Sequence, residues 1–377
     1  MRALILTDAD VAAREASMLS RLEVGLLDQN IRVLYAEPSD DRLHVDAESL
    51  ITGLTYTSGG SFLTRKARAR RLVRDIDEHI GFDDPSSSRL DVVHAIGEGA
   101  WAMALQTAAS AGSNLVVEVL SGHELERVRS FESTAGRALG DGSRFAWLAP
   151  GQAMHDALRV RARRAPILLV PWGAHASSGT KPSRPPEQLA AVAIITAGRS
   201  SKRLEHLLDA LKSLSPAEGA APPLIFLDEH AVSRTHTASR YAREIGIEDR
   251  LSIVPSLEHS RSLTARCDLL VLPDGDGQHR SIILDAMAGG VLVASESDSL
   301  LADVLVDGST ALLTPEASVD AWTRVLSAAL EPGNERAKAI RSQARALIKK
   351  DRSAATHVNS LVAAYDAICD AEPIPFS

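Results

Sequence analysis

Short apolar runs alternate with longer amphipathic segments along the whole chain, and this alternation is the strongest constraint on its fold. The runs at 92–96, 115–120 and 269–272 are mostly apolar on both faces, which is typical of strands buried inside a parallel sheet. The segments between the runs have a helical period, and the leucines of 203–214 fall on one face. Strands that alternate with helices predict βαβ units and therefore an α/β fold.

One stretch interrupts the alternation. Residues 173–186 have no apolar periodicity and contain three prolines, a composition typical of a linker. The chain of 377 residues is also longer than one typical domain of about 150 residues. We therefore predict a first domain over 1–173, a linker over 174–185, a second domain over 186–355 and a last helical segment over 356–377.

Charge and cysteine content exclude several classes of protein. The formal net charge is −8, whereas a nucleic-acid-binding domain usually has a strongly basic surface. Cys267 and Cys369 are too few for a disulfide framework and indicate a reducing compartment. No apolar run reaches the roughly 18 residues of a membrane span, and residues 1–8 are too short an apolar stretch for a signal peptide. These features predict a cytoplasmic protein that does not bind nucleic acid.

The segment 196–203 is the first candidate site. It follows a predicted strand, contains Gly198 and opens a helix, with one of its serines as the N-cap. Arg199 and Lys202 beside a helix N-terminus would form an anion site suited to a phosphate or a diphosphate. The alternative is an ordinary strand–helix turn with two solvated bases.

The second candidate site lies within residues 267–315, which read as strand, acidic glycine-rich loop, helix and strand. The loop begins at Asp274 and leaves the carboxyl end of a strand, where ligands of open α/β sheets bind. Ser281 is the candidate cap of the next helix, and the carboxylate of Asp285 could accept hydrogen bonds from a sugar or ribose hydroxyl. The alternative for Asp285 is a surface acid without a ligand.

The order of these segments resembles the GT-B glycosyltransferases, most closely the retaining group called family 4. The resemblance rests on several ordered motifs, which are LP-x11-DAMAGGVLVAS from Leu272, LVDGxxALLTP from Leu305, DVVHAIG at 91–97, ILLVPWGAH at 167–175, and Gly198-Arg199 with Lys202. It implies two Rossmann-like parallel-sheet domains that face a central cleft, with the last helix crossing back to the first domain. It also implies that Arg199 and Lys202 hold the diphosphate of a nucleotide sugar.

The sequence departs from the family pattern where the sugar would bind. Family members have two glutamates in this loop and helix, and here the first falls on Gly277 and the second on Asp285. The family's Gly-Phe-Gly is replaced by a tripeptide that ends in Arg280, which is a candidate phosphate contact. Asp274 is a candidate substitute for the first glutamate. In the first domain, Leu120 stands at the position of a family histidine.

Two hypotheses for the function follow. The resemblance implies a retaining glycosyltransferase that moves a hexose-type sugar from a nucleotide-diphosphate sugar to a glycan, a lipid or a small molecule. Arg199 and Lys202 would stabilise the leaving diphosphate. The residues expected around the nucleotide sugar are Gly198, Asp274, Gly277, Arg280, Ser281 and Asp285. No metal-binding motif is present, so neither a metal nor a cofactor other than the co-substrate is expected. The alternative is a non-catalytic binding or scaffold subunit, because several family residues are replaced around one site.

A basic segment is the last candidate. It begins at Ser58, ends at Arg74 and contains six Lys and Arg residues. An apolar stripe of Phe62, Leu63, Leu72, Val73 and Ile76 is predicted to be buried, so that the bases crowd the outer faces of a helix. This face could contact an anionic acceptor or a membrane surface, which would place the protein peripherally at the membrane. The alternative is a solvated helix face. His94 lies on a predicted buried strand and is interpreted as a core histidine.

Overall fold

A computed structural model describes residues 1–39, 53–80, 90–140, 142–176, 189–198, 200–214, 221–228 and 238–370. The chain forms two compact units, one of Met1–Trp172 with Ala354–Ser377 and the other of Gly173–Ser353. Most of the predicted linker lies outside the described residues. Both units are built on parallel sheets with helical connections, so the predicted α/β fold class is confirmed.

The first unit contains a seven-stranded sheet in the order β3-β2-β1-β4-β5-β6-β7. Its strands are β1 Arg2–Thr7, β2 Arg32–Pro38, β3 Gly53–Tyr56, β4 Val92–Ile96, β5 Asn114–Glu118, β6 Phe145–Ala149 and β7 Ile167–Leu169. Its helices are α1 Ala9–Arg14, α2 Ala16–Asp28, α3 Phe62–Ile80, α4 Glu98–Ala111, α5 Gly122–Ala138 and α6 Gln152–Arg161, with α13 Ala354–Asp370 added from the end of the chain. Every side chain of β4 and of β6 is buried, as expected for strands that are covered on both faces.

The second unit contains a six-stranded sheet in the order β10-β9-β8-β11-β12-β13. Its strands are β8 Ala191–Ile194, β9 Leu224–Asp228, β10 Leu251–Val254, β11 Leu269–Leu272, β12 Leu292–Glu296 and β13 Leu312–Thr314. Its helices are α7 Ser201–Ser213, α8 Ala238–Ile245, α9 Arg261–Arg266, α10 Arg280–Ala288, α11 Val319–Leu330 and α12 Glu335–Asp351, with a short 3-10 turn at Glu248–Arg250. The predicted leucine face of α7 is buried in the core.

A buried polar chain joins α13 to the sheet of the first unit. The hydroxyl of Tyr365 lies 2.8 Å from Nδ1 of His94, and Nε2 of His94 lies 3.5 Å from the Glu118 carboxylate. The indole N–H of Trp172 donates to the same carboxylate over 2.5 Å. Burial raises the pKa of the Tyr365 hydroxyl well above its ordinary value, so it remains protonated and can donate. His94 is therefore a buried core histidine that is bonded through Nδ1, which confirms its interpretation.

The helix α13 also approaches α2 closely. Gly25 of α2 lies against Val358, and a Cβ at position 25 would overlap the valine side chain. Arg144, which precedes β6, donates from its guanidinium to the carbonyl of Ile368 over 2.8 Å. These contacts dock α13 on the first unit.

The basic helix α3 differs from its predicted packing at one end. Leu63 is 75% exposed, so its predicted place in the buried stripe is wrong. Among the side chains of α3 that the structure describes, the buried ones lie in the later turns, at Ala69, Leu72 and Ile76. The side chain of Phe62 lies outside this description, so its burial stays a prediction. In the described ranges, no helix has both the length and the apolarity needed to cross a bilayer.

Candidate functional site

The turn between β8 and α7 is held by a carboxylate from a neighbouring strand. Asp274 follows β11, which pairs with β8, and its side chain is 1% exposed. It accepts a hydrogen bond from the hydroxyl of Thr196 (2.5 Å) and another from the amide of Ala197 (3.0 Å). The Thr196 hydroxyl in turn accepts from the amide of Gly198 over 3.0 Å, and Gly198 has a φ of +68°. The structure thus brings Gly198 and Asp274 together, with Asp274 directed at the turn.

The first turn of α7 carries exposed positive charge. Ser200 occupies the N-cap position without a side-chain hydrogen bond to the helix, so the predicted serine cap is not made. Amides of a first helical turn have no acceptor within the helix, and they favour an anion. Lys202 is exposed in this turn, and Arg203 pairs with Glu296 over 2.6 Å. Arg199 lies outside the described residues, so its role stays a prediction.

The loop after β11 is shaped by Asp298. The amide of Gly277 donates to Oδ2 of Asp298 over 2.7 Å, while Oδ1 accepts from the amide of Leu300 over 2.8 Å. Gly277 has a φ of +78°, and a Cβ at Gly275 would lie 2.7 Å from Cβ of Asp298. The glycine that replaces the family's first glutamate therefore has a local structural reason, since L-residues rarely adopt this conformation.

Arg280 is directed into the second unit. Its side chain is 1% exposed and donates to the carbonyl of Leu300 over 2.8 Å. Its guanidinium also lies 3.7 Å from the carboxylate of Asp303, which pairs in addition with Arg352. The structure places this predicted phosphate contact in an internal ion-pair network rather than at the surface of the loop.

The helix α10 begins differently from its prediction. Its N-cap residue is His279, which has a φ of +58°, and no side chain caps the helix. Ser281 is fully buried one step inside the helix, so its predicted capping role is wrong. Its hydroxyl donates to Glu258 over 3.3 Å and accepts from Arg261 over 2.8 Å. The Ser281 hydroxyl therefore bonds to two side chains instead of to the helix backbone.

Asp285 belongs to the same cluster. Its carboxylate forms an ion pair with Arg261, whose guanidinium also pairs with Glu258. The side chains of Asp285 and Arg261 are partly exposed, whereas that of Glu258 is buried. Sequence reasoning missed Glu258 and Arg261, although opposite charges three residues apart after a strand's carboxyl end are a visible signal. The ion pair between Arg261 and Asp285 holds the Asp285 carboxylate in a fixed orientation in the helix that follows β11.

The carboxylate of Glu296 also lies beside the first turn of α7, where it pairs with Arg203. Burial raises the pKa of Glu296 above its ordinary value, Arg203 lowers it, and the charges of Asp274 and Asp298 raise it further. The carboxyl edge of this sheet therefore combines a helix N-terminus and Lys202 with several acids that are bound to loop amides or arginines. In the described part of the chain, no three His, Cys, Asp or Glu side chains form a group that could hold a metal ion.

The first unit has its own polar groups at the carboxyl edge of its sheet. Asp8 accepts from the amides of Val11 (2.8 Å) and Gly99 (3.0 Å), and burial raises its pKa. Glu124 forms a capping box with Ser121, and its burial raises the pKa of its carboxyl to about 8. Leu120, at the position of the family histidine, is buried.

His123, near Leu120 in sequence, is half exposed and pairs with Glu98 over 3.0 Å.

The sequence of the second half of the chain matches a known protein family. Residues 180–346, most of which belong to the second unit, match the family described as "Glycosyl transferases group 1". No curated protein gives a significant match by sequence.

Solved structures share the whole fold. Anabaena HepE in complex with UDP and glucose is 16% identical, with a TM-score of 0.75 over 97% of this chain and 100% of that one. The lipopolysaccharide outer core galactosyltransferase WaaB is 15% identical, with a TM-score of 0.65 over 97% and 99% of the two chains. Sucrose-phosphate synthase from Thermosynechococcus elongatus is 12% identical, with a TM-score of 0.69 over 97% and 99%. The fold is therefore GT-B-like.

Proposed function

We propose that this chain is a retaining glycosyltransferase of the family-4 type that uses a nucleotide-diphosphate sugar. It transfers a hexose-type sugar to a glycan, a lipid or a small-molecule acceptor, and it requires neither a metal nor a further cofactor. The single observation that carries the proposal is the locked turn at Gly198. This turn presents the N-terminus of α7, with Lys202 in its first turn, at the carboxyl edge of the matched domain.

The chemistry that this arrangement supports is departure of a nucleoside diphosphate. The bond between the anomeric carbon and the diphosphate oxygen breaks, and the negative charge develops on the diphosphate. The acceptor hydroxyl forms the new bond to the anomeric carbon on the same face, and its proton passes to the departing diphosphate oxygen. Lys202, Arg199 and the α7 amides stabilise the developing charge, since preorganised donors at the leaving group lower the barrier.

The remaining residues have roles in binding. The carboxylate of Asp285 accepts hydrogen bonds from the ribose, and Arg261 orients it through their ion pair. Gly198 and Gly277 allow the backbone to approach the nucleotide sugar, with Asp274 and Ser281 supporting the two loops. Arg280 supports the loop from inside. The structures of HepE with UDP and glucose support a uridine nucleotide as the first ligand to test.

The test is a titration of the purified protein with UDP by calorimetry. Lys202→Ala should weaken binding about tenfold, because one charge-assisted phosphate contact is lost. The matched control is Lys212→Ala, an exposed lysine in the last turn of the same helix. Equal affinities for all three proteins would contradict the proposal. Release of UDP from UDP-glucose, with and without EDTA, then tests turnover and the absence of a metal requirement.

A second candidate function is a non-catalytic binding or scaffold subunit. The observation that favours it is the loss of exposed polar groups around the sugar position. Gly277 has no carboxylate and a positive φ, and Arg280 is buried with Asp303. Detectable hydrolysis of any common sugar nucleotide, removed by Lys202→Ala, would eliminate this candidate. Nucleotide binding without turnover over hours would favour it.

The exposed face of α3 supports peripheral contact with an anionic membrane surface. Four of its basic side chains are exposed, Lys66, Arg70, Arg71 and Arg74, and the apolar Leu63 projects beside them. Exposed cations next to an apolar side chain suit a layer of anionic headgroups. Sedimentation with phosphatidylglycerol vesicles should exceed that with phosphatidylcholine vesicles. Replacing Lys66 and Arg70 with glutamine should abolish the difference, whereas Lys349→Gln, on the exposed side of α12, should leave it unchanged.

A further inference from the structure

A groove of about 570 Å³ lies on the first unit, between the second half of α5 and the connection from α6 to β7. Its lining residues are Arg129, Ser130, Glu132, Ser133, Gly136, Arg137, Arg163 and Arg164. Four of the eight are arginines and one is a glutamate, so the lining has a net charge of +3, in a chain whose net charge is −8. A concentration of guanidinium groups in a concave surface is typical of a site for phosphate or carboxylate groups.

The glutamate in the lining, Glu132, has a structural role. Glu132 is buried and accepts hydrogen bonds from the backbone amides of Arg163 (2.9 Å), Arg164 (2.7 Å) and Ala165 (2.6 Å). These bonds fix the connection that carries two of the arginines against α5. The backbone that carries Arg163 and Arg164 is therefore ordered before any ligand binds, and this lowers the entropic cost of binding.

A second anchor shapes the same wall. The guanidinium of Arg129 donates to the carbonyls of Arg161 (3.2 Å) and Val160 (3.3 Å), at the end of α6. These bonds fix the Arg129 side chain of α5 against the end of α6. Arg137 and Arg163 are exposed, and they line the groove from different segments, α5 and the connection from α6 to β7.

The position of the groove separates it from the nucleotide-sugar site. The second half of α5 leads into the start of β6, and the end of α6 leads into the start of β7. In a parallel sheet these are the amino ends of the strands, whereas the polar groups at Asp8 and Glu124 lie at the carboxyl ends. The groove is thus on the opposite edge of the sheet from the edge at which ligands of α/β sheets usually bind.

We propose that this groove is a binding site for a small free polyanion, a molecule with two or more phosphate or carboxylate groups, that is distinct from the nucleotide sugar. The volume lies within the usual range of about 300–1,000 Å³ for sites of small ligands. The separation of the arginines on two walls favours a ligand with two or more anionic groups over a single phosphate. The hypothesis does not depend on the proposed glycosyltransferase activity, because no residue of the groove belongs to that site.

The experiment uses the full chain and two probes, inorganic tripolyphosphate and orthophosphate, in 0.15 M salt as a check against weak screening-dependent contacts. Calorimetry should give tripolyphosphate at least tenfold higher affinity than orthophosphate. The double variant Arg137→Gln with Arg163→Gln should weaken tripolyphosphate binding tenfold or more. The matched control is Arg159→Gln, an exposed arginine of α6 outside the lining, which should bind as the unchanged protein does.

Hydrogen exchange locates the site, because tripolyphosphate could also reach the N-terminus of α7. Protection is expected over residues 129–137 and 160–165, and it should persist in Lys202→Ala. Protection confined to the start of α7 would overturn the proposal, as would equal weakening by Arg159→Gln. Binding to phosphatidylglycerol vesicles that is lost in the double variant, with no affinity for tripolyphosphate, would overturn a free ligand in favour of a lipid surface.

Discussion

The carboxylate of Asp274 accepts a hydrogen bond from the hydroxyl of Thr196, although the two residues are 78 positions apart in the chain. They lie at the carboxyl ends of the adjacent strands β11 and β8. Together with the bond from the amide of Ala197 to the same carboxylate, the Thr196 bond connects the turn that opens α7 to the acidic loop. The two segments that the sequence offers as candidate sites are therefore parts of one structure.

Removal of the Thr196 hydroxyl should weaken the contact between this turn and the acidic loop. Thr196→Val preserves the side-chain shape but deletes a donor to Asp274 and an acceptor for Gly198. Because a buried carboxylate loses a partner, we expect the free energy of unfolding of the second unit to fall by about 1–3 kcal/mol. UDP affinity should fall with it. Urea unfolding followed by tryptophan fluorescence, to which Trp322 contributes from the second unit, measures the stability change.

The matched control for that variant is Thr323→Val. The hydroxyl of Thr323 bonds to the carbonyl of Val319 and to Ser213 at the surface of α11, away from the turn. Its removal should change stability by a few tenths of a kcal/mol and leave UDP affinity unchanged. If both valine variants lost UDP affinity equally, the hydrogen bonds of Thr196 would have no specific role in UDP binding.

Restoring the family's glutamate at position 277 should not restore a family-like site. Gly277→Glu places an L-residue at a φ of +78°, which costs about 1–2 kcal/mol. We expect lower stability in urea and no gain in turnover of UDP-glucose. Gly142→Glu is the control, since a Cβ there meets open space and its φ is not positive. A faster enzyme with glutamate at 277 would mean that the loop adapts readily.

The stability of the first unit should respond to pH through Glu124. Its folded pKa of about 8 lies above the unfolded value, so the carboxyl is protonated in the fold and ionised in the unfolded chain between those values. Its contribution to stability is therefore present at low pH and is lost as the pH rises toward 8. Glu124→Gln should become more stable relative to the unchanged protein over this window, by at most about 1.4 kcal/mol per pH unit.

Denaturation at several pH values between 5 and 9 checks this expectation. Glu126→Gln, an exposed glutamate two residues along the same helix, serves as the reference. Parallel stability curves for Glu124→Gln and Glu126→Gln would show that Glu124 is ionised in the fold.

The link between Tyr365 and His94 should be important for docking of α13. Tyr365→Phe removes the only atom of this side chain that bonds to the buried imidazole, 2.8 Å away. We expect a loss of about 1–3 kcal/mol and faster hydrogen exchange throughout α13. Tyr241→Phe, which deletes a hydroxyl bonded to Asp209 in the other unit, should not alter exchange in α13. Unchanged exchange in both variants would indicate that apolar contacts alone hold the helix.

The strands of both sheets could be predicted because their signal is local. A buried parallel strand such as β4 or β11 is apolar on consecutive residues, and a window of a few residues suffices to detect it. The short strand β3 gives a weaker signal, because Gly53–Tyr56 has only two apolar side chains in four positions, those of Leu54 and Tyr56.

The roles of single polar residues could not be predicted in the same way. Arg280 is directed inward because Asp303 and the carbonyl of Leu300 lie beside it after folding. Ser281 bonds to Glu258 and Arg261 for the same kind of reason, as these partners are 20 or more positions away. The direction of a side chain in a loop depends on such distant partners. Residue type and spacing along the chain do not identify these partners.

The placement of α13 has a consequence for synthesis of the chain. The first unit is discontinuous in sequence, because residues 173–353 separate its sheet from the helix that bears Tyr365. On the ribosome, the second unit can therefore complete its fold before the first one does, even though its translation begins later. Until residues 354–370 emerge, His94 and the surface of α2 around Gly25 lack their helix, and the first unit is the one that a chaperone would have to protect.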